Sequence, residues 1–237
     1  MPMTHETAIF SLFLGFIAGF LLYHGFTTSG KIQKYIASKS TPGNYSRNQA
    51  FLNRLTGFMC FFIFPVLIVY FLPDTSFKYL RIYPIITADS IKFGLLIAVP
   101  LVLLSALTSK SDKNLREYPQ IRNKNWGSGL LVSSALTWIL YLFAYEFTFR
   151  GILFFVLVEP LGLMPAIAVN TVIYALVHVP KSFREAIGSV PLGVVLCLAA
   201  WQTQGFMVAF IAHCFLALSN EWMSLYHHPK MKLKIKM

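Results

Sequence analysis

Long apolar blocks alternate with short polar segments along the whole chain. A helix needs about 20 mainly apolar residues to cross the hydrocarbon core of a bilayer, with a range that begins near 17. The block pattern therefore predicts membrane helices rather than the buried elements of a soluble core. The predicted spans are residues 8–26, 57–72, 91–107, 128–158, 164–177, 187–200 and 206–226.

The block 128–158 is too long for one upright span. About 31 residues at 1.5 Å each would cover about 46 Å, whereas the hydrocarbon core is about 30 Å thick. Either one helix is strongly tilted, or the segment breaks near Tyr145 into two helices. The first alternative gives seven crossings and the second gives eight.

The composition agrees with a membrane protein. The 237 residues are 56% hydrophobic and only 12% charged, with a mean hydropathy of +0.62, whereas soluble domains carry about a quarter charged residues. We therefore predict an all-α polytopic membrane protein, a bundle of seven or eight helices forming one domain over residues 1–237. Three cysteines fall inside apolar blocks without a CxxC spacing, and we expect them to pack rather than to form disulfides or bind zinc. They are Cys60, Cys197 and Cys214.

The net charge of +11 is interpreted as a signal for the orientation of the chain in the membrane and not as a sign of nucleic-acid binding. Lys and Arg collect in cytoplasmic loops of membrane proteins, and the basic segments 27–55 and 108–127 are predicted to be such loops. Seven crossings place both loops and the basic end HHPKMKLKIKM in the cytoplasm, where the tail would face anionic lipid. The start MPMTHET lacks a basic region, so we expect the first block to be a membrane helix and not a cleaved signal. The predicted location is the cytoplasmic (inner) membrane, the lipid bilayer is a partner, and no nucleic-acid partner is expected.

Two charged residues interrupt the most apolar segment, AYEFTFRGILFF. Glu146 and Arg150 are four residues apart, so a helix would place them on one face within pairing distance. A charge at the middle of a bilayer costs about 2.5–3.5 kcal/mol on insertion scales, and such residues usually face the bundle interior and mark a functional site. A structural ion pair that fixes helix packing is the simpler interpretation, and spacing alone does not distinguish the two.

Two histidines in other apolar blocks could form a functional site together with Glu146 and Arg150. His178 ends NTVIYALVH, and His213 lies within GFMVAFIAHCFLAL. A glutamate with a histidine is suited to general-base activation of water, and a second histidine is suited to stabilising an oxyanion. Glu146, His178 and His213 also have the donor types of a two-His, one-carboxylate zinc site, although the HExxH spacing of zinc proteases is absent. Asn170, eight residues before His178, is expected on roughly the same helix face as a supporting residue.

The order of these motifs resembles the CPBP (CAAX protease and bacteriocin-processing, or ABI) family of intramembrane proteases. The family pattern is EExxxR, then FxxxH, then HxxxN, each on a different membrane helix. YEFTFRG corresponds to the first motif at Glu146 and Arg150, YALVH to the second at Tyr174 and His178, and HCFLA to the third at His213. The resemblance extends over residues 126–222 and implies a catalytic core of the CAAX prenyl endopeptidase fold.

Two positions depart from the family pattern. Tyr145 stands where the family has the first glutamate of the pair, and Ala217 stands where it has the asparagine of the third motif. In the family, the first glutamate and the second-motif histidine are thought to activate water, while the last histidine and asparagine stabilise the oxyanion. For this chain the resemblance implies a Tyr-Glu variant in which Glu146 takes over as the base and Tyr145 donates a hydrogen bond. Asn220, seven residues after His213, would face the same side.

The resulting hypothesis is a glutamate-type intramembrane endopeptidase that cleaves membrane-anchored peptides or protein tails near the cytoplasmic face. Glu146 would act as base on a water shared with His178, His213 would hold the oxyanion, and Arg150 would orient Glu146 or receive a substrate carboxylate. This mechanism requires no cofactor, while zinc remains the alternative. The other classes are a catalytically silent relative that binds peptides as an immunity or scaffold protein, and a proton-coupled transporter.

Overall fold

The computed structural model describes residues 5–41, 43–71, 80–180 and 182–234, and most of these residues are helical. The ends of the chain and the last position of the predicted span 57–72 lie outside them. The helices are α1 (His5–Thr28), α2 (Gly30–Lys39), α3 (Tyr45–Phe58), α4 (Phe64–Phe71), α5 (Ala88–Thr108), α6 (Asp112–Glu117), α7 (Ser128–Glu146), α8 (Phe154–Leu161), α9 (Leu163–Leu176), α10 (Phe183–Thr203) and α11 (Met207–His227). Two π-helical segments, π1 (Met59–Ile63) and π2 (Phe147–Leu153), join α3 to α4 and α7 to α8.

Six helical stretches of the described residues are long and apolar enough to cross a membrane, which confirms the all-α polytopic prediction. Helix α9 is the seventh apolar helix, but its 14 residues would span only about 21 Å, less than the hydrocarbon core. The six long stretches are Ile9–Thr28, Tyr45–Phe71, Ala88–Thr108, Ser128–Leu161, Phe183–Thr203 and Met207–His227.

The long block is one continuous helical stretch, Ser128–Leu161, and not two helices. The predicted break near Tyr145 is replaced by π2, which begins two residues later. This stretch forms the centre of the bundle: 78% of its apolar window is buried, against 17–33% in the other five stretches. Helices α3 and α11 pack against α7, α5 packs against α11, and α9 packs against α8 and α10. The chain turns from α8 to α9 at Gly162, whose φ of +78° favours glycine.

The prediction of a loop over 27–55 is wrong, because this segment contains α2 and most of α3. The second membrane stretch consequently begins at Tyr45 and not at residue 57. The polar residues of α3 suggested a solvated loop. One of them, Arg54, is in fact only 3% exposed. A polar helix is stable in this position because its cation is paired inside the bundle and not solvated in a loop.

Part of the basic C-terminal tail is attached to the bundle. Two short strands, β1 (Asn125–Trp126) and β2 (Lys232–Leu233), pair in parallel. The amide of Lys232 donates to the carbonyl of Lys124 at 2.8 Å, and Met231 is buried beside Trp126. The described part of the basic tail is therefore tied to the 109–127 segment, while Lys230, Lys232 and Lys234 remain exposed.

Candidate active site

Glu146 is the centre of a buried three-residue cluster. Arg150 Nη1 donates to both Glu146 oxygens, at 3.0 Å to Oε2 and 3.3 Å to Oε1. His213 Nδ1 lies 2.6 Å from Glu146 Oε1. Glu146 and Arg150 are 0% exposed, whereas the His213 side chain is 12% exposed. The cluster thus links α7, π2 and α11 through one carboxylate.

The π2 segment positions this cluster, because a π-helical turn changes the register of the residues that follow it and leaves backbone carbonyls without their α-helical donors. Two side chains donate to carbonyls of the π segments. The Thr148 hydroxyl donates to the carbonyl of Phe61 in π1, and Asn170 Nδ2 donates to the carbonyl of Phe149 at 2.9 Å. The amide of Arg81 adds a bond to the carbonyl of Gly151 at 3.2 Å. Both π segments are therefore held by tertiary hydrogen bonds beside the cluster.

The two histidines are oriented through the same ring atom. His178 Nδ1 lies 2.7 Å from the carbonyl oxygen of Tyr174, which only accepts hydrogen bonds, so Nδ1 carries the proton. His213 Nδ1 faces the carboxylate of Glu146 and carries its proton for the same reason. In the neutral form of each ring, Nε2 is then the atom that accepts a proton.

Tyr145 lies between the two histidines. Its ring centroid is 6.3 Å from that of His178 and 5.9 Å from that of His213. Stacking on Phe149 at 4.3 Å holds the ring in place. The Tyr145 side chain is 5% exposed, and its buried hydroxyl has no hydrogen-bond partner in the described protein. An unsatisfied buried hydroxyl is costly, so it is a donor available to a molecule that enters the site.

A cavity of about 700 Å³ adjoins these residues. Tyr145, His178 and His213 line it, whereas Glu146 and Arg150 do not lie on its wall. The remaining wall comes from the C-terminal halves of α1 and α5, residues 46–54 of α3, Phe61 of π1, α7, the end of α9, the N-terminal half of α10, α11 and the 109–127 segment. Because the 109–127 segment is predicted to be a cytoplasmic loop, the cavity lies toward the side predicted to be cytoplasmic. His178 and His213 thus lie on the cavity wall, and Glu146 lies behind His213.

The supporting residues take different positions. Asn170 supports π2 and accepts a contact from Cys197 Sγ at 3.2 Å, so it acts on the backbone beside Arg150 and not on His178. Asn220 and Ala217 both lie on the cavity wall. Among the described residues, no group of three or more His, Cys, Asp or Glu side chains has an arrangement that would hold a metal ion. The zinc alternative remains a prediction, and no step below depends on it.

A second buried ion pair was missed by the sequence analysis. Arg54 of α3 and Glu221 of α11 are 3.4 Å apart, with side chains 3% and 0% exposed. The sequence feature that could have revealed this pair was Glu221, because it is an acid inside the predicted span 206–226. Like Glu146, it needs a partner there. Its partner was hidden because Arg54 was assigned to a loop.

Comparison with known proteins agrees with the motif-based resemblance. Residues 127–219 match the model of the family described as type II CAAX prenyl endopeptidase Rce1-like. That segment begins at the N-terminus of α7 and ends within α11, so it contains the whole Glu146 cluster and His178. Neither a curated protein nor a solved structure matches the chain.

Proposed function

We propose that this protein, whose residues 127–219 match the model of the type II CAAX prenyl endopeptidase Rce1-like family, is an intramembrane endopeptidase. Its substrates are membrane-anchored peptides or protein tails that enter the cavity from the cytoplasmic side of the cell membrane. The observation that supports the proposal most strongly is the 2.6 Å contact between Glu146 and His213. It joins a buried carboxylate to an imidazole on the cavity wall, which is the arrangement of an oriented general base.

In this mechanism His213 is the base, and Glu146 acts through it. A water molecule on the cavity side of His213 gives a proton to Nε2 while its oxygen attacks the scissile carbonyl carbon. The carboxylate of Glu146 holds the ring through Nδ1 and stabilises the imidazolium that forms. The same proton then passes to the leaving amine as the peptide C–N bond breaks. This assignment differs from the sequence-based expectation, in which Glu146 itself contacts the water, because Glu146 is enclosed by Arg150 and His213.

The remaining cavity groups orient the reactants. Neutral His178 accepts a hydrogen bond from the attacking water through Nε2. The Tyr145 hydroxyl donates to the oxygen of the scissile carbonyl, where negative charge develops in the transition state. Arg150 keeps Glu146 ionised and in place. Scarcity of bulk water in the cavity strengthens each of these interactions.

The function is tested by incubating the purified protein in liposomes with synthetic peptides that carry a lipid anchor, either prenyl or acyl, on a cysteine near their C-terminus. Mass spectrometry of the products is expected to show a single cleavage position. His178→Ala is expected to lower kcat/KM by about 10²-fold, because the attacking water loses one of its two acceptors. The substitution His228→Ala, outside the cavity, serves as the control and should leave the rate unchanged. Peptides that bind but are never cut would instead support the silent, peptide-binding alternative.

Tyr145 offers a test that separates chemistry from folding. Tyr145→Phe removes only a hydroxyl that has no partner among the described residues, so the free energy of unfolding should change little. The rate of cleavage should nevertheless fall by about 10²-fold, the usual cost of one lost oxyanion donor.

The matched control is Tyr141→Phe, one turn earlier on α7. The Tyr141 hydroxyl is hydrogen-bonded with Tyr23, so this substitution should cost about 1 kcal/mol of stability and leave cleavage unchanged. Equal activity of Tyr145→Phe and the wild type would exclude Tyr145 from the mechanism.

A further inference from the structure

Thr148 uses its hydroxyl between two helical stretches and not within one. Inside helices, serine and threonine hydroxyls commonly donate to a carbonyl four positions earlier in the same helix. Several hydroxyls of this protein do so, namely those of Thr27, Thr108, Ser133 and Thr203. The Thr148 hydroxyl instead donates to the carbonyl of Phe61 in π1, 87 positions away. It therefore connects π2 to π1.

Thr148 has no direct access to the cavity. It belongs to π2, between Glu146 and Arg150 in the sequence, and its side chain is only 2% exposed. It does not lie on the wall of the 700 Å³ cavity, whereas Phe61 and Tyr145 do. Any effect of Thr148 on a molecule in the cavity must therefore pass through other residues.

Phe61 connects the Thr148 hydrogen bond to the cavity wall. Its ring meets the Tyr145 ring edge-on, with the centroids 5.9 Å apart and an angle of 82° between the planes. Tyr145 in turn stacks on Phe149, with the centroids 4.3 Å apart. The chain of contacts closes on itself, because Phe149 is the residue after Thr148. A shift of π2 along π1 would consequently displace the Tyr145 ring.

A second tertiary hydrogen bond holds the next residue of π2. Asn170 of α9 donates to the carbonyl of Phe149 at 2.9 Å. Thr148 and Phe149 thus attach π2 to π1 and to α9, respectively. Glu146 and Arg150 flank this attached pair in the sequence, so the two hydrogen bonds determine where the charged side chains lie. Single π-helical turns within α-helices are frequent at functional sites.

We propose that Thr148 is a positioning residue of the active site, acting through its hydrogen bond to the Phe61 carbonyl. This bond keeps π2 in register with π1. It thereby holds the Tyr145 ring on the cavity wall and the Glu146 carboxylate against His213. Precise placement matters, because a misplacement of about 1 Å can lower a rate by about 10²-fold. The effect on the rate rests on the proposed function, whereas the effect on the cluster is measured without substrate.

The structural part is tested by NMR of the protein with isotope-labelled histidine in lipid nanodiscs. The Nδ1 proton of His213 reports the 2.6 Å contact with Glu146, because a short hydrogen bond moves this resonance downfield. Thr148→Val keeps the branched shape of the side chain and removes the hydroxyl, so the resonance should move upfield or vanish by exchange. The Nδ1 proton of His178, which faces the carbonyl of Tyr174 outside π2, is the internal control and should not move.

The kinetic part uses the cleavage assay described above. Thr148→Val should lower kcat by about 10-fold or more and change KM by less than about two-fold, because it removes no contact with the substrate. Thr148→Ser keeps the donor and should restore both kcat and the His213 resonance. Thr171→Val is the matched control and should resemble the wild type. It also removes a buried threonine hydroxyl, but one without a partner among the described residues.

Thr148→Ser and Thr148→Ala give the same comparison if the protein does not accommodate valine, since these two side chains differ only in the hydroxyl. Equal His213 resonances in the serine and alanine variants would overturn the proposal, whether or not the protein cleaves peptides. So would an unchanged resonance in a folded Thr148→Val protein. Loss of the resonance in Thr148→Val, in a protein that cleaves no peptide, would support the positioning role and count against the proposed function alone.

Discussion

Glu146→Gln and His213→Gln are each expected to lower kcat/KM for peptide cleavage by about 10²–10⁴-fold, the usual contribution of a general base. Glutamine at position 146 still accepts a hydrogen bond from His213 Nδ1, but it no longer stabilises the imidazolium that forms in the transition state. Glutamine at position 213 removes the proton acceptor. The measurement is initial-rate kinetics on a lipid-anchored peptide in liposomes.

The two substitutions should also be strongly non-additive. When two residues act as one unit, the first substitution already removes most of their joint contribution to the rate. The double variant should therefore be no more than a few-fold slower than either single variant. His227→Gln, at the exposed end of the same helix, is the matched control and should retain the wild-type rate. Losses that multiply in the double variant would mean that Glu146 and His213 act independently, against the proposed dyad.

Arg150→Met is expected to lower the free energy of unfolding by about 3–5 kcal/mol. The substitution leaves the Glu146 carboxylate buried beside His213 without its cation, and an uncompensated buried charge carries a cost of this size. Denaturant titration in detergent micelles, followed by tryptophan fluorescence, provides the measurement.

The double variant Glu146→Gln with Arg150→Met tests this cause. It removes both charges, so it should recover most of the stability lost in Arg150→Met while remaining inactive. Arg184→Met, at an exposed position, should stay within about 0.5 kcal/mol of the wild type. If the double variant is as unstable as Arg150→Met, the loss reflects the packing of the arginine side chain and not its charge.

Several features were predictable because they depend on local pattern. Block length and composition predicted a polytopic helical protein, and the spacing of Glu146 and Arg150 predicted their contact. The motif order indicated the family that residues 127–219 match. The boundaries of the membrane helices were less predictable. Helix α3 was taken for a loop because polar residues usually face solvent, although Arg54 is buried.

The roles within the site depend on contacts between distant segments. Asn170 was expected beside His178 from its position on the same helix, yet it bonds the carbonyl of Phe149. The Phe149 carbonyl belongs to π2, where it also accepts from the amide of Phe154, and no periodicity in the sequence predicts a π turn. The contacts of Arg54 were missed for a similar reason, since its partners come from 66 to 167 residues away.

By itself, the sequence determined that the chain is a bundle of membrane helices and that a carboxylate, an arginine and two histidines lie within it. It could do so because the length of an apolar segment and the presence of a charge inside it are both visible within one stretch of sequence. Only the tertiary structure decided which histidine the carboxylate contacts and which groups face the cavity. His213 is 67 positions from Glu146, and their contact follows from the packing of α11 against α7. That packing places Glu146 behind His213 and leaves Tyr145 between the two histidines, with a hydroxyl that has no partner among the described residues.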